Sequence, residues 1–274
     1  LLQAGFAVEI LAVFFVKLFK PLNGFLRYGK TLSGYSTTKS TKNKNSRFNL
    51  FYLLNITVPK YYFCHFYILA SILSLSAYIL VNCTDNSTKL SILGSIYNRL
   101  KAYLNLFIIH SIRRLVECFF VSKFNKHSKM NISHYLVGVY LYLSINLNMI
   151  LSFSITSCFT HSAYDNNDDD NNNIIIINTN NINPPQLILI LFNLFCQANQ
   201  LLNHLHLSKT VKYNQPDTGL FKYILNAHYF NEILIYCSFY LLVPNLTNLL
   251  ILVWTFTNLS ISSCENYKFY LNQR

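Results

Sequence analysis

Apolar residues in this chain gather into long runs separated by polar stretches, with neither the strict alternation of a half-buried strand nor the one-sided period of a surface helix. A helix crosses a bilayer with about 20 mostly apolar residues. The runs therefore predict helices over 4–20, 61–82, 102–122, 132–158, 186–205, 229–243 and 245–263. Pro244 divides the last two. The 229–243 run is short for a span, so it is either a tilted helix or one half of a broken helix completed by its successor. The predicted class is all-α, a polytopic membrane protein with six or seven spans forming a single membrane domain over 1–274.

Composition agrees with that reading, since 52% of residues are hydrophobic and only 12% are charged. The net charge of +12 raises the question of nucleic acid. Its distribution answers it, because the basic residues lie in loops between apolar runs rather than along one face of a folded domain. Around the loop 21–60 stand Lys20, Arg27, Lys30, Lys39, Lys42, Lys44, Arg47 and Lys60 with no acidic residue, and 123–129 and 206–222 are basic again. Basic loops stay on the cytosolic side. With seven spans they alternate with 83–101 and 160–185, the second of which carries Asp165, Asp168, Asp169 and Asp170. The amino terminus is then lumenal and the carboxyl terminus cytosolic. The expected surroundings are the bilayer and a lipid, with no nucleic acid and no obligate protein partner.

Several features remove other chemistries. Seven cysteines lie singly, five of them inside apolar runs (Cys64, Cys118, Cys158, Cys196, Cys237), without a CxxC spacing, which supports neither a disulfide framework nor a zinc site. No Walker loop and no GxGxxG appears, so a nucleotide, if bound, is not held by a Rossmann domain. Residues 36–46 read as a basic cytosolic linker. The Asn/Asp tract within 163–185 is a low-complexity lumenal loop that cannot bury enough apolar surface to order itself. The tripeptides "NCT" at 82 and "NST" at 86 are candidate lumenal glycosylation sites. The chain opens on Leu1 rather than methionine, as a piece of a longer protein would.

Polar groups inside apolar runs are the candidate chemistry, because a charge within a span costs several kcal/mol and is kept for a cavity or a partner. In "HSIRRLVECFF" (110–120), spacings of three and four stack His110, Arg113, Arg114 and Glu117 on roughly one side of a helix. Arg113 and Glu117 form a candidate structural pair, which would leave one arginine for an anion such as a phosphate. In 200–232, Gln200 and His204 lie four apart, "QPDTG" is a turn, and His228 and Glu232 share a face of the next helix. Tyr213 lies in the basic loop between them. In "ITVPKYYFCHFY" (56–67), Pro59 starts a helix, the aromatics suit an interfacial belt, and His65 is the titratable group.

The stretches "RYGKT" (27–31), "VPKYYFCHFY" (58–67), "HSIRRLVEC" (110–118), "NISHYLVGVYLY" (131–142), "QLLNHLHL" (200–207), "LFKYILNAHYFNEILIY" (220–236) and "KFYL" (268–271) together resemble the polyprenol reductase branch of the steroid 5α-reductase family, in the family's order and across almost the whole chain. The resemblance implies a seven-helix oxidoreductase of the endoplasmic reticulum membrane. Such an enzyme uses NADPH to saturate the α-isoprene unit of a polyprenyl lipid on the route to dolichol, which supports protein N-glycosylation. It also implies a reductase core over 200–270 and cofactor contacts at Arg114, Gln200, His204, Tyr213, His228 and Tyr270. Glu232 matches the family's glutamate and is expected to orient His228 or bind the nicotinamide carboxamide. Steroid-reducing members polarise their ketone with a Glu and a Tyr, whose positions here are occupied by Thr57 and Ser111. The acid for this chain is therefore sought at His110 and His65.

Other readings of the same residues are an enoyl-CoA or steroid reductase, separated by product analysis, and an isoprenylcysteine methyltransferase, separated by its need for S-adenosylmethionine. A non-catalytic lipid-binding protein or an inactive fragment would fail to bind NADPH.

Overall fold

A computed structural model describes residues 2–18, 56–83, 91–124, 128–165, 183–210 and 216–271. The linker 36–46, Tyr213, Asn86 and most of the Asn/Asp tract lie outside these residues. The described chain contains seven α-helices, α1 (Leu2–Leu18), α2 (Phe63–Cys83), α3 (Ser91–Val116), α4 (Ile132–Asp165), α5 (Pro184–Lys209), α6 (Ala227–Leu242) and α7 (Leu246–Leu271). Four segments, Lys60–Cys83, Ile132–Cys158, Pro184–Lys209 and Leu246–Leu271, are long and apolar enough to cross a membrane on their own. The chain is an all-α, multi-pass membrane protein.

Helix boundaries follow local chemistry. Two prolines occupy the first positions of α5, where a missing N–H costs nothing. Pro59 does not itself open α2. It ends a three-residue strand, β1 (Thr57–Pro59), and precedes a 3-10 turn (Lys60–Tyr62) that runs into the helix. The strand pairs antiparallel with β2 (Lys129–Asn131), Val58 opposite Met130, and this short ribbon ties the start of α2 to the start of α4. At the other breaker, α6 stops at Leu242 before Pro244. The chain then folds back, because Asn226 at the head of α6 donates to Ser263 near the end of α7 (2.7 Å) and accepts from Asn266 (3.1 Å). The two are an antiparallel pair and not one broken helix. With 16 residues, α6 is about 24 Å long, shorter than a hydrocarbon core of roughly 30 Å.

Lipid tails give helices no hydrophobic reason to associate with each other, so packing and polar contacts must hold the bundle. Asn193 and Gln197 on α5 form such a seam. Gln197 donates to Asn193 (2.6 Å) and to the Leu106 carbonyl of α3 (3.3 Å), while Asn193 donates to Ser238 of α6 (2.6 Å). Asn148 of α4 likewise donates to Asn248 of α7 (3.0 Å). One turn beyond the α5 seam come Gln200 and His204, so the same ladder that fixes the register of α3, α5 and α6 also fixes the two polar side chains that follow it.

Where α2 meets α4, Gly138 lets the helices close. A methyl group there would stand 2.7–3.0 Å from the Phe66 ring atoms, and that ring is itself held against Phe63 and Tyr135. Gly138→Ala is expected to lower stability by about 1–3 kcal/mol, as overpacking does, measured by thermal unfolding in detergent. Phe66→Leu in the same chain should recover part of the loss, and unchanged unfolding in the single variant would show that the seam is loose.

Candidate active site

A cavity of about 160 Å³ opens among six of the helices. One wall is aromatic and apolar, with Phe63, Phe66 and Tyr67 from α2 and Val137, Leu141 and Tyr142 from α4. The spacings of three and four put each set on one helix face. The opposite wall is polar, with Arg114 from α3, Gln200 and His204 from α5, and His228, Glu232 and Tyr236 from α6. Trp254, Thr255 and Asn258 of α7 close the remaining side.

The polar wall is one continuous network, and its hub is a residue the sequence reading treated only as a partner of Arg113. Directly after α3 the chain makes a π-helical turn (Glu117–Val121), and Glu117 opens it with its side chain buried. Single π-turns in α-helices often mark functional sites. Both arginines, three and four positions earlier, donate to this carboxylate. His204 Nδ1 stands 2.5 Å from Glu117 Oε2. The carboxylate only accepts, so His204 donates through Nδ1 and keeps Nε2 as an acceptor. Two donors, Arg114 Nη1 and His204 Nδ1, thus crowd one oxygen.

The arginines also reach further. Arg114 donates to the Tyr67 phenol oxygen (2.9 Å) and lies 4.9 Å above that ring. Arg113 donates to Gln200 Oε1 (2.5 Å), and the other end of that amide donates to Glu232 and to the His228 carbonyl (3.2 Å). Glu117 engages both arginines, where the sequence reading paired it with Arg113 alone, and Arg114 still borders the cavity. A second carboxylate, Glu232, arrives from a helix more than a hundred residues away. Two half-buried guanidinium groups face the buried Glu117 and the half-buried Glu232, the balance that low dielectric demands.

His110 stands behind this wall. It is fully buried and does not border the cavity. Its Nδ1 lies 3.2 Å from an Arg113 nitrogen and must accept, so Nε2 carries the hydrogen and points at Glu232, 3.5 Å away. That geometry suits a residue that orients Glu232 rather than one that touches a ligand. His65 is not brought to the cavity: it is exposed, stacked on Tyr62 and 3.2 Å from the Tyr135 hydroxyl. Tyr270 sits in the last turn of α7, half-buried beside Phe269 and off the cavity wall. Thr57 lies in β1, and Ser111 donates to the Ile108 carbonyl (3.0 Å). Of the nine residues singled out from sequence, Arg114, Gln200, His204, His228 and Glu232 share the cavity.

Sequence reasoning passed over Tyr67, Tyr142, Tyr236 and Trp254, all on the cavity wall. The family's dinucleotide fits this wall in part. A cavity of about 150 Å³ accommodates benzene, so this one has room for a nicotinamide ring but not for a whole dinucleotide. Gln200 is committed to Arg113, Glu232 and the His228 carbonyl, and the Glu232 carboxylate keeps acceptor lone pairs of the kind that a carboxamide N–H needs.

One family profile and three relatives bear on identity. The 3-oxo-5-alpha-steroid 4-dehydrogenase family profile matches residues 141–274, which carry Tyr142 and every cavity residue from α5, α6 and α7. The chain is 34% identical to a polyprenal reductase of Saccharomyces cerevisiae over 270 residues, 98% of this chain and 86% of the relative. It is 27% identical to a polyprenal reductase of Drosophila melanogaster over 78% of this chain and 72% of the relative. For a polyprenal reductase of Mus musculus the identity is 23%, over 89% and 79%.

Proposed function

The chain belongs to the polyprenal reductase branch of the steroid 5α-reductase family, and on that premise we propose that it reduces the α-isoprene double bond of a polyprenal with NADPH. The reaction lies on the route to dolichol and is placed in the endoplasmic reticulum membrane. The observation that carries the reading is the two-walled cavity, in which an aromatic and apolar side faces a charge-balanced polar side. A prenyl chain needs the first and a nicotinamide head the second.

When bound, NADPH supplies the hydride, and the protein's part is to bind, orient and polarise. Glu232, positioned by Gln200, would accept from the carboxamide and so orient the ring toward the lipid. Arg114 and His204, joined through Glu117, border the path toward the ribose and phosphates. His228 stands at the head of α6, its ring 5.6 Å from that of His204, and it closes the polar wall at the mouth. The aromatic wall packs against the prenyl chain on either side of the reacting double bond. An aldehyde is the better substrate than the alcohol, because a conjugated carbonyl accepts the electrons displaced by hydride addition and an allylic alcohol does not.

Membranes containing the full chain should oxidise NADPH when polyprenal is added and not when polyprenol is added. Arg114→Lys loses the planar fork shared by Glu117 and Tyr67. Since hydrogen bonds to charged groups contribute about 1.5–3 kcal/mol, the variant's KM for NADPH should rise roughly 10- to 100-fold. Absence of polyprenal-dependent oxidation in the parent chain would sink the reading, and an unaltered KM in the variant would remove Arg114 from the cofactor's surroundings.

A further inference from the structure

Buried polar groups are nearly always hydrogen-bonded, and each exception asks for an explanation such as a missing ligand. The buried polar atoms without a partner in hydrogen-bonding geometry include the Tyr236 phenol, the Trp254 indole nitrogen and the Thr255 hydroxyl. All three residues line the cavity, and their side chains are only 2%, 7% and 3% exposed. They come from two neighbouring helices, α6 and α7. Tyr236 lies near Glu232, Tyr67 and the Tyr142 hydroxyl, where the polar wall turns into the aromatic one, and the Tyr142 hydroxyl is its nearest alternative to a ligand.

The kinds of group are informative. An indole N–H only donates, while a phenol and a hydroxyl either donate or accept. A ligand that satisfies them must therefore present an acceptor oxygen, and a carbonyl oxygen has two lone pairs for two donors. A saturated hydrocarbon would leave all three unpaired, a loss that sites built around hydrogen bonds turn into discrimination. Neither histidine proposed from sequence can take this part, because His110 is behind Glu232 and His65 is outside the cavity.

We propose that Tyr236 and Trp254 form a two-donor cradle for the substrate's aldehyde oxygen, with Tyr236 as the acid that protonates it. The proposal rests on the reductase reading. Hydride adds to the carbon β to the carbonyl, the double-bond electrons move through the α-carbon onto oxygen, and the oxygen takes the Tyr236 proton to give an enol and a tyrosinate. As the enol collapses to the aldehyde, its proton returns to the tyrosinate and the α-carbon takes one from water. One hydride and one proton are consumed, and the lipid gains two hydrogens. A donor already in place at the oxygen is what the developing enolate needs.

The test uses membranes containing the full chain, polyprenal and NADPH. Tyr236→Phe keeps the ring and its packing against Phe239 and removes only the hydroxyl. Turnover is expected to fall roughly 100- to 1,000-fold, the usual cost of losing one oxyanion donor, while NADPH affinity and the detergent unfolding midpoint stay as in the parent. Trp254→Phe should cut turnover roughly tenfold or more by the loss of one hydrogen bond, and it carries the test if the tyrosine variant does not accumulate. Turnover of Tyr236→Phe within threefold of the parent would overturn the assignment, as would a loss traced wholly to NADPH affinity. If the parent converts no polyprenal, the reductase reading fails first. The cradle is then judged by equilibrium binding of a radiolabelled polyprenal, where weaker binding to both variants supports it and equal binding overturns it.

Discussion

Glu117→Ala is expected to be the most damaging single change to the structure, because it leaves two half-buried guanidinium groups and His204 without their shared acceptor. Breaking a buried pair by removing one partner costs about 3–5 kcal/mol, since the remaining charge is uncompensated. Here one carboxylate neutralises two arginines, and the loss should lie at the upper end. The variant should accumulate poorly in membranes and unfold well below the parent in detergent. Glu117→Gln retains an acceptor oxygen and should recover part of the folding but not the charge balance. A parent-like unfolding midpoint for Glu117→Ala would mean that the arginines find water or lipid headgroups instead, and the hub assignment would be lost.

Glu232→Ala should damage the polar side of the site and with it the activity. This carboxylate accepts from Gln200 and faces His110 from the cavity wall, and it is the second of the two negative charges that offset Arg113 and Arg114. Its removal takes away the acceptor assigned to the nicotinamide carboxamide, leaves Gln200 without one of its partners and gives the wall net positive charge. A nicotinamide held out of register should reduce turnover roughly 100-fold, the scale on which a misplacement of about 1 Å acts. The measurement is polyprenal-dependent NADPH oxidation, with cofactor affinity determined in parallel. His110 acts through Glu232, so His110→Ala should change the pH profile and cofactor KM in the same direction but less. Parent-like turnover in Glu232→Ala would separate the network from the chemistry.

The order of helices was legible because a bilayer-spanning run is a strong signal, and Pro244 and the paired prolines of α5 mark two boundaries directly. The ends were less so. The α3 helix begins at Ser91 rather than near 102, since Asn98, Arg99 and Lys101 lower the hydropathy of turns that still bury Tyr97, Leu100 and Leu104 on one face. For the same reason α7 runs on to Leu271 through a polar tail. Within the site, pairs on one helix were readable from spacing alone, as with Gln200 and His204 or His228 and Glu232. Contacts across helices were not, so Glu117 looked like the partner of one arginine and His110 like a ligand-facing acid. Tyr236 was invisible for another reason. The chain holds 20 tyrosines, and only burial without a partner singles one out.

The reduction itself is tested most directly by the fate of the hydride. Membranes containing the chain are given polyprenal and NADPH carrying deuterium at its transferable position, and the lipid product is read by mass spectrometry with fragmentation of the α-isoprene unit. The account predicts a saturated aldehyde with one deuterium on the carbon β to the carbonyl and one ordinary hydrogen on the α-carbon, absent in Glu232→Ala. Deuterium on the carbonyl carbon with the double bond retained, or no transfer that depends on polyprenal, would contradict it.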